Sequence, residues 1–205
     1  MKHIGIAASK TIVCCVTLFL TLLPVHAAEH EVVFEAYPVS QVFQEPNESW
    51  DAFVSRSGRV MRDYTTKTDF EAGGWLCVHR TTGQGAMTVI SSHSQISVSA
   101  SIKGCPLQGY ELTSEFMHSH PVKEYIVLTA HDLRGHPASK VARLLSGMRA
   151  GSRVRVGASG GRFSKADLDI GPGYLVHGDD LYYQKDGHQS LARSLRAIHE
   201  TPAPQ

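Results

Sequence analysis

His118-Ser119-His120-Pro121 constrains this chain more than any other stretch. Two histidines at i and i+2 of an extended segment point to the same face, so both imidazoles can reach one ion. The run Tyr110 to Met117 alternates apolar and polar residues, which puts the pair at the end of a strand whose rigidity holds both rings. Pro121 has no amide hydrogen and ends the ladder. A tetrahedral catalytic zinc takes three protein ligands and keeps its fourth position for water, so a third ligand and a separate base must come from elsewhere.

Two carboxylates stand out. Glu71, in Glu71-Ala72-Gly73-Gly74, sits where a strand begins, and Asp167 follows the Ser164 hydroxyl by three residues at the pattern of a first helical turn. Taken in order, Glu71 with Gly74, then His118-Ser119-His120-Pro121, then Ser164 and Asp167 resemble the JAMM motif of the JAB/MPN metallopeptidases: E, HxHP, SxxD. Gly171-Pro172-Gly173-Tyr174-Leu175-Val176 and Asp180-Leu181-Tyr182-Tyr183 resemble the strand pair that follows SxxD in bacterial JAB domains, so the likeness runs over about residues 48–185.

The resemblance implies a Zn2+ ion held by His118, His120 and Asp167. It also implies Glu71 as the general base that takes a proton from water and returns it to the leaving amine, and Ser164 as a donor to the oxyanion. Its fold would be α/β: a cytidine-deaminase-like layered arrangement with a mixed, largely antiparallel sheet flanked by helices. One departure stands against the pattern. The family's SxxD follows the second histidine after about ten residues, whereas here 47 positions separate residues 120 and 167. An insertion at about 122–162 would loop out. Thr129-Ala130-His131-Asp132 offers a shorter route to a third ligand at Asp132; Asp167 is preferred because only it carries the downstream Gly-Pro-Gly-Tyr-Leu context.

Around this motif the chain reads as one domain. Lys2 and Lys10 precede the uncharged apolar block 11–23 and the small-residue pattern Val25-His26-Ala27, so residues 1–27 are expected to be a secretory signal peptide. The block is too short for a comfortable transmembrane helix, and no stable membrane insertion is expected after cleavage. Loss of the two lysines takes the formal charge from +1 to −1, and no basic tract remains to attract nucleic acid. Cys14 and Cys15 leave with this segment; Cys77 and Cys105 remain, either as a disulfide between neighbouring strands or as two buried thiols.

Residues 28–47 read as an extended N-terminal arm and 48–190 as the metallohydrolase domain. That domain would open on a helix in which Trp50, Phe53, Val54, Val60, Met61 and Tyr64 form an apolar stripe. Strands are expected over 75–79, 86–90, 96–102, 174–177 and 181–184, with a short helix over 137–148 and a helical tail within 191–205. Among the 12 histidines, His93 is a candidate to face the site, whereas His177 shows no ligand pairing. The function expected is an exported, periplasmic or secreted zinc metallopeptidase acting on a peptide, a cell-wall peptide or a protein. The alternative is a non-catalytic periplasmic metal-binding or interaction protein on the same scaffold.

Overall fold

The computed structural model describes residues 36–96, 98, 105–134, 145–155 and 161–196. The segment expected as a signal peptide lies outside them, as do most of the strand expected over 96–102, most of the helix expected over 137–148 and the end of the tail.

The chain is an α/β protein built on a mixed, largely antiparallel sheet of seven strands. These are β1 (Tyr37–Phe43), β2 (Ala72–His79), β3 (Gly85–Ser91), β4 (Tyr110–His120), β7 (Gly173–His177), β8 (Asp180–Lys185) and β9 (His188–Ser194), in spatial order β1-β3-β2-β4-β7-β8-β9. Two strands between β4 and β7, β5 (Tyr125–Val127) and β6 (Arg153–Arg155), pair with each other as a separate small sheet. Among the described residues the helices are α1 (Trp50–Thr68), α2 (Ala130–Arg134) and α3 (Lys165–Ile170).

Helix α1 starts where Ser49 accepts a hydrogen bond from the Ala52 amide at 3.2 Å, and Asp51 in its first turn suits the helix dipole. It ends at Asp69, which adopts the left-handed conformation at φ 64° and returns its amide to the Thr65 carbonyl. The stripe read from the sequence does pack inward. Phe53, Val54 and Met61 are buried with Leu76, Met87, Val89, Met117, Val176 and Leu181 from one face of the sheet, and Trp50, Val60 and Tyr64 pack at the margin. Each fully buried side chain of this size contributes about 1.5–3 kcal/mol. Gly58, in the middle of the helix, is buried: a Cβ there would lie 3.3 Å from Leu195 and 3.6 Å from Leu181, so its smallness lets α1 close on β8 and the end of β9.

The edges of the sheet add what the sequence did not specify. Residues 37–43, within the expected extended arm, form strand β1, paired antiparallel with β3, and Pro38 is tolerated because an edge strand has one unpaired side. Residues 188–194 form β9 on β8, so the expected helical tail begins instead as a strand.

One pairing departs from the antiparallel rule and positions the site. β4 and β7 run parallel, with His118 beside Leu175 and His120 beside His177. Parallel neighbours need a long crossover, because the chain must leave the end of one strand and return to the start of the other. Residues 121–172 make that return, carrying α2, the small sheet and α3. Gly173 makes the docking possible, since a Cβ there would overlap the Phe116 carbonyl oxygen. The start of β7 is therefore pressed against Phe116, and α3, immediately before it, ends up over the ligand-bearing end of β4.

On β4 the alternation sorts the residues. Met117 faces the α1 core, while Phe116, His118 and His120 face the other way. Two additional residues of β4 lie opposite Leu76, a bulge in which Ser114 takes φ 70° and Thr113 donates to the Leu76 carbonyl at 2.9 Å. Because two residues are added, the face parity of the strand survives. The pair Cys77 and Cys105 forms a disulfide, Cα to Cα 6.0 Å, tying β2 to the segment that enters β4. Among the described residues no helix is long and apolar enough to cross a membrane.

Candidate metal centre

His118, His120 and Asp167 come together at the end of β4. Each offers one ligand atom, and these atoms all lie within 4.8 Å of one another. His118 Nε2 is 3.3 Å from Asp167 Oδ1, and His120 Nε2 is 3.9 Å from Asp167 Oδ2. The two rings meet edge to face with centroids 4.9 Å apart. The i, i+2 spacing does what strand geometry dictates, and the parallel β4–β7 pairing brings the carboxylate to them.

Local chemistry fixes the carboxylate. Ser164 caps α3, its Oγ accepting from the Asp167 amide at 3.2 Å, while Asp167 Oδ2 accepts from the Ser164 amide at 2.6 Å. This reciprocal box holds the Asp167 side chain in one orientation and leaves Oδ1 turned toward His118. Ser164 is exposed, and the cap uses its oxygen as an acceptor, so its hydroxyl hydrogen is available to another group.

His118 is only 3% exposed, and among the described residues its Nε2 has no hydrogen-bond partner: the contact with Asp167 is close but does not meet hydrogen-bond geometry. A buried ring nitrogen without a partner costs about 1–3 kcal/mol. A cation placed between it, His120 and Asp167 would satisfy it, so the residues fit a metal ion on the strength of their own geometry. The protonation of His120 and Asp167 fits as well. Burial first, then the neighbouring His118 and His177, lowers the His120 pKa to about 3 against the pull of Asp167, leaving a neutral imidazole with a free lone pair. Burial alone would raise the Asp167 carboxyl, but His118, the Ser164 cap and His120 outweigh it and hold it well below the usual carboxylate range.

Glu71 lies beside the cluster. The β2–β4 register pairs Gly73 with His118. Continued by two residues, that antiparallel register puts Glu71 opposite His120 on the same face. The observed separation agrees, with Glu71 Oε1 3.9 Å from His120 Nε2. Glu71 is 8% exposed, and its pKa is raised well above the ordinary 4.5, by burial first and then by the charges of Asp167 and Asp132. Between the two ligands, Ser119 points the other way. Its Oγ accepts from the Ala72 amide at 2.9 Å and lies 2.5 Å from Thr65 Oγ1, which fastens the ligand strand to α1 and to the residue after Glu71.

The shorter route to a third ligand is closed by hydrogen bonding. Asp132 is fully buried; its Oδ1 accepts from Ser94 Oγ and the Gln95 amide, and its Oδ2 from the Thr129 amide and hydroxyl, all within 2.7–3.1 Å. His93 does not join the cluster. It stacks on Tyr37 with centroids 4.5 Å apart and tilts against Phe70. Sequence reasoning set His177 aside, yet its parallel pairing with His120 makes it a neighbour of the site. The available signal was alternation in Tyr174 to His177, which puts His177 at the end of a strand as His120 is. Phe163 was also missed; its ring meets His118 at 5.9 Å. Compared with protein-family models, with curated proteins and with solved structures, the chain matches none.

Proposed function

We propose that the chain is a zinc-dependent hydrolase of amide bonds on the JAB/MPN plan, with the cytidine-deaminase-like layering that plan implies. The observation that carries this reading is the buried Glu71 carboxylate 3.9 Å from His120, beside a three-residue ligand group that includes no fourth protein ligand among the described residues. A metal store closes its coordination shell with protein, whereas a catalytic centre keeps one position open and places a base next to it. Two imidazoles and a carboxylate suit zinc among the divalent ions.

When bound, the ion supplies Lewis acidity at the reacting centre. His118, His120 and Asp167 hold it. Glu71 takes a proton from the attacking water and delivers it to the departing amine, a role suited to a carboxyl whose surroundings raise its affinity for protons. Ser164, whose hydroxyl hydrogen is not used by the α3 cap, donates to the oxygen on which charge develops. The Cys77–Cys105 disulfide accords with an oxidising compartment, so the protein acts after export, in the periplasm or outside the cell, on a peptide, a cell-wall peptide or a protein.

Zinc analysis coupled to peptide hydrolysis tests the reading. The purified chain is expected to bind one zinc per molecule and to release peptide fragments only when loaded. A chain that binds no zinc, or a loaded chain inert toward peptides and cell-wall peptides, would sink it.

A further inference from the structure

Helix α3 carries the third ligand, yet little in its own six residues holds it in place. A helix this short is marginal in water unless an apolar face packs on something. Among the described residues of α3 no side chain is buried, and Leu168 and Ile170 are 37% and 38% exposed. The capping box orients the Asp167 carboxylate within the helix, but it cannot set where the helix lies over β4.

Two glutamines supply that placement. Gln184 of β8 and Gln189 of β9 are direct partners across the hairpin, so their side chains leave the same face of the sheet. Gln189 grips the chain before α3: its Nε2 donates to the Gly161 carbonyl, and its Oε1 accepts from the Phe163 amide at 3.1 Å. Gln184 grips it after α3, where its Nε2 donates to the Gly171 carbonyl. Gly161 lies flush on the Tyr182 ring, which a Cβ there would overlap. Both ends of the ligand-bearing segment are therefore tied to β8 and β9, two strands outside the ligand cluster.

The environment of Gln184 separates tethering from core packing. It is only 1% exposed, and its Oε1 has no hydrogen-bond partner among the described residues. An orphaned buried carbonyl is unfavourable, and an aliphatic side chain of the same length would avoid it, so the carboxamide is there for its one bond to Gly171. We propose that Gln184 and Gln189 are positioning residues for the metal centre: they clasp residues 161–171 at both ends and so hold Asp167 Oδ1 opposite His118 Nε2, at 3.3 Å. The inference rests on the metal-centre part of the proposed function, but not on turnover.

Zinc affinity, measured by competition with a chelator, tests this through a double-mutant cycle. Gln189→Ala, at an exposed position, is expected to weaken zinc binding by about tenfold, and Gln184→Met by a similar factor. In the Asp167→Asn background the same substitutions should change zinc affinity by less than about twofold, because a clasp that acts through the carboxylate has nothing left to position. The metal-free Gln189→Ala chain should melt within about 2 °C of the unsubstituted one, so that the zinc loss is not a loss of fold. Unchanged zinc affinity in both glutamine variants, or an equal loss with and without Asp167, overturns the inference. A chain that binds no zinc removes it together with the hydrolase reading, whereas coupled zinc loss in a chain that cleaves nothing removes the hydrolase alone.

Discussion

Thr129-Ala130-His131-Asp132 and Ser164-Lys165-Ala166-Asp167 place the same local device in two regions of the molecule. In each, a hydroxyl residue begins a short helix and the aspartate three positions on accepts its amide, at 2.8 Å from Thr129 and 2.6 Å from Ser164. The surroundings then separate them. Asp132 is sealed between Thr129, Ser94 and Gln95, whose four donors use the lone pairs an ionised carboxylate has to offer. Asp167 spends one oxygen on its cap and turns the other toward a buried imidazole. The difference teaches that a capping aspartate becomes a ligand only where the fold leaves an oxygen unspent and puts other ligands opposite it.

The sharpest way to break the comparison is to neutralise each aspartate. Asp167→Asn is expected to weaken zinc binding by more than about a hundredfold, since even partners outside the ligand shell are worth about 10–100-fold. Zinc titration against a chelator checks it. If Asp132→Asn loses the metal and Asp167→Asn retains it, the assignment is reversed.

Glu71→Gln tests the base. Zinc content should stay near that of the unsubstituted chain while hydrolysis falls by about 10²–10⁴-fold, the usual worth of general acid–base catalysis. The same variant has a pH signature in the metal-free chain. Burial, with the charges of Asp167 and Asp132, raises the folded pKa of Glu71 above 4.5, so its stabilising contribution is complete below that value and lost as pH rises through the raised one. The glutamine variant, neutral at this position throughout, should therefore melt higher than the unsubstituted chain at neutral pH, with the advantage gone near pH 4. Equal melting points at both pH values would show that burial does not disfavour the Glu71 charge.

Asp132→Asn should leave zinc binding intact but lower stability by about 3 kcal/mol, because an amide nitrogen cannot accept from donors already aimed at it. Denaturant unfolding measures this. The smallest effect belongs to Ser164→Ala: loss of an exposed cap costs about 1 kcal/mol. Zinc affinity should fall by about tenfold or less as Asp167 gains freedom. A larger loss of hydrolysis than of zinc would mark the hydroxyl as a donor in the reaction as well as a cap.

Periodicity carried much of this into the sequence. The alternation before His118 set both histidines on one face, the stripe from Trp50 to Tyr64 set the buried side of α1, and the strands of β2, β3, β7 and β8 are legible because neighbouring residues encode them. Ser164 and Asp167 announce a helix start for the same reason, whereas Thr129-Ala130-His131-Asp132 offered the right residue types by a shorter route, and only the downstream Gly-Pro-Gly-Tyr-Leu context favoured Asp167. Tertiary structure separated them. The parallel register of β4 and β7, permitted by the close approach at Gly173, brings α3 back across 47 positions to His118, and the same register puts His177 beside His120. The edge strands β1 and β9 were missed on similar grounds, since an edge has one partner and little burial to stamp a pattern on its residues. Local propensities follow from a few adjacent side chains, whereas strand order is a property of the whole sheet's burial; the ligand pair belongs to the first kind of information and the third ligand to the second.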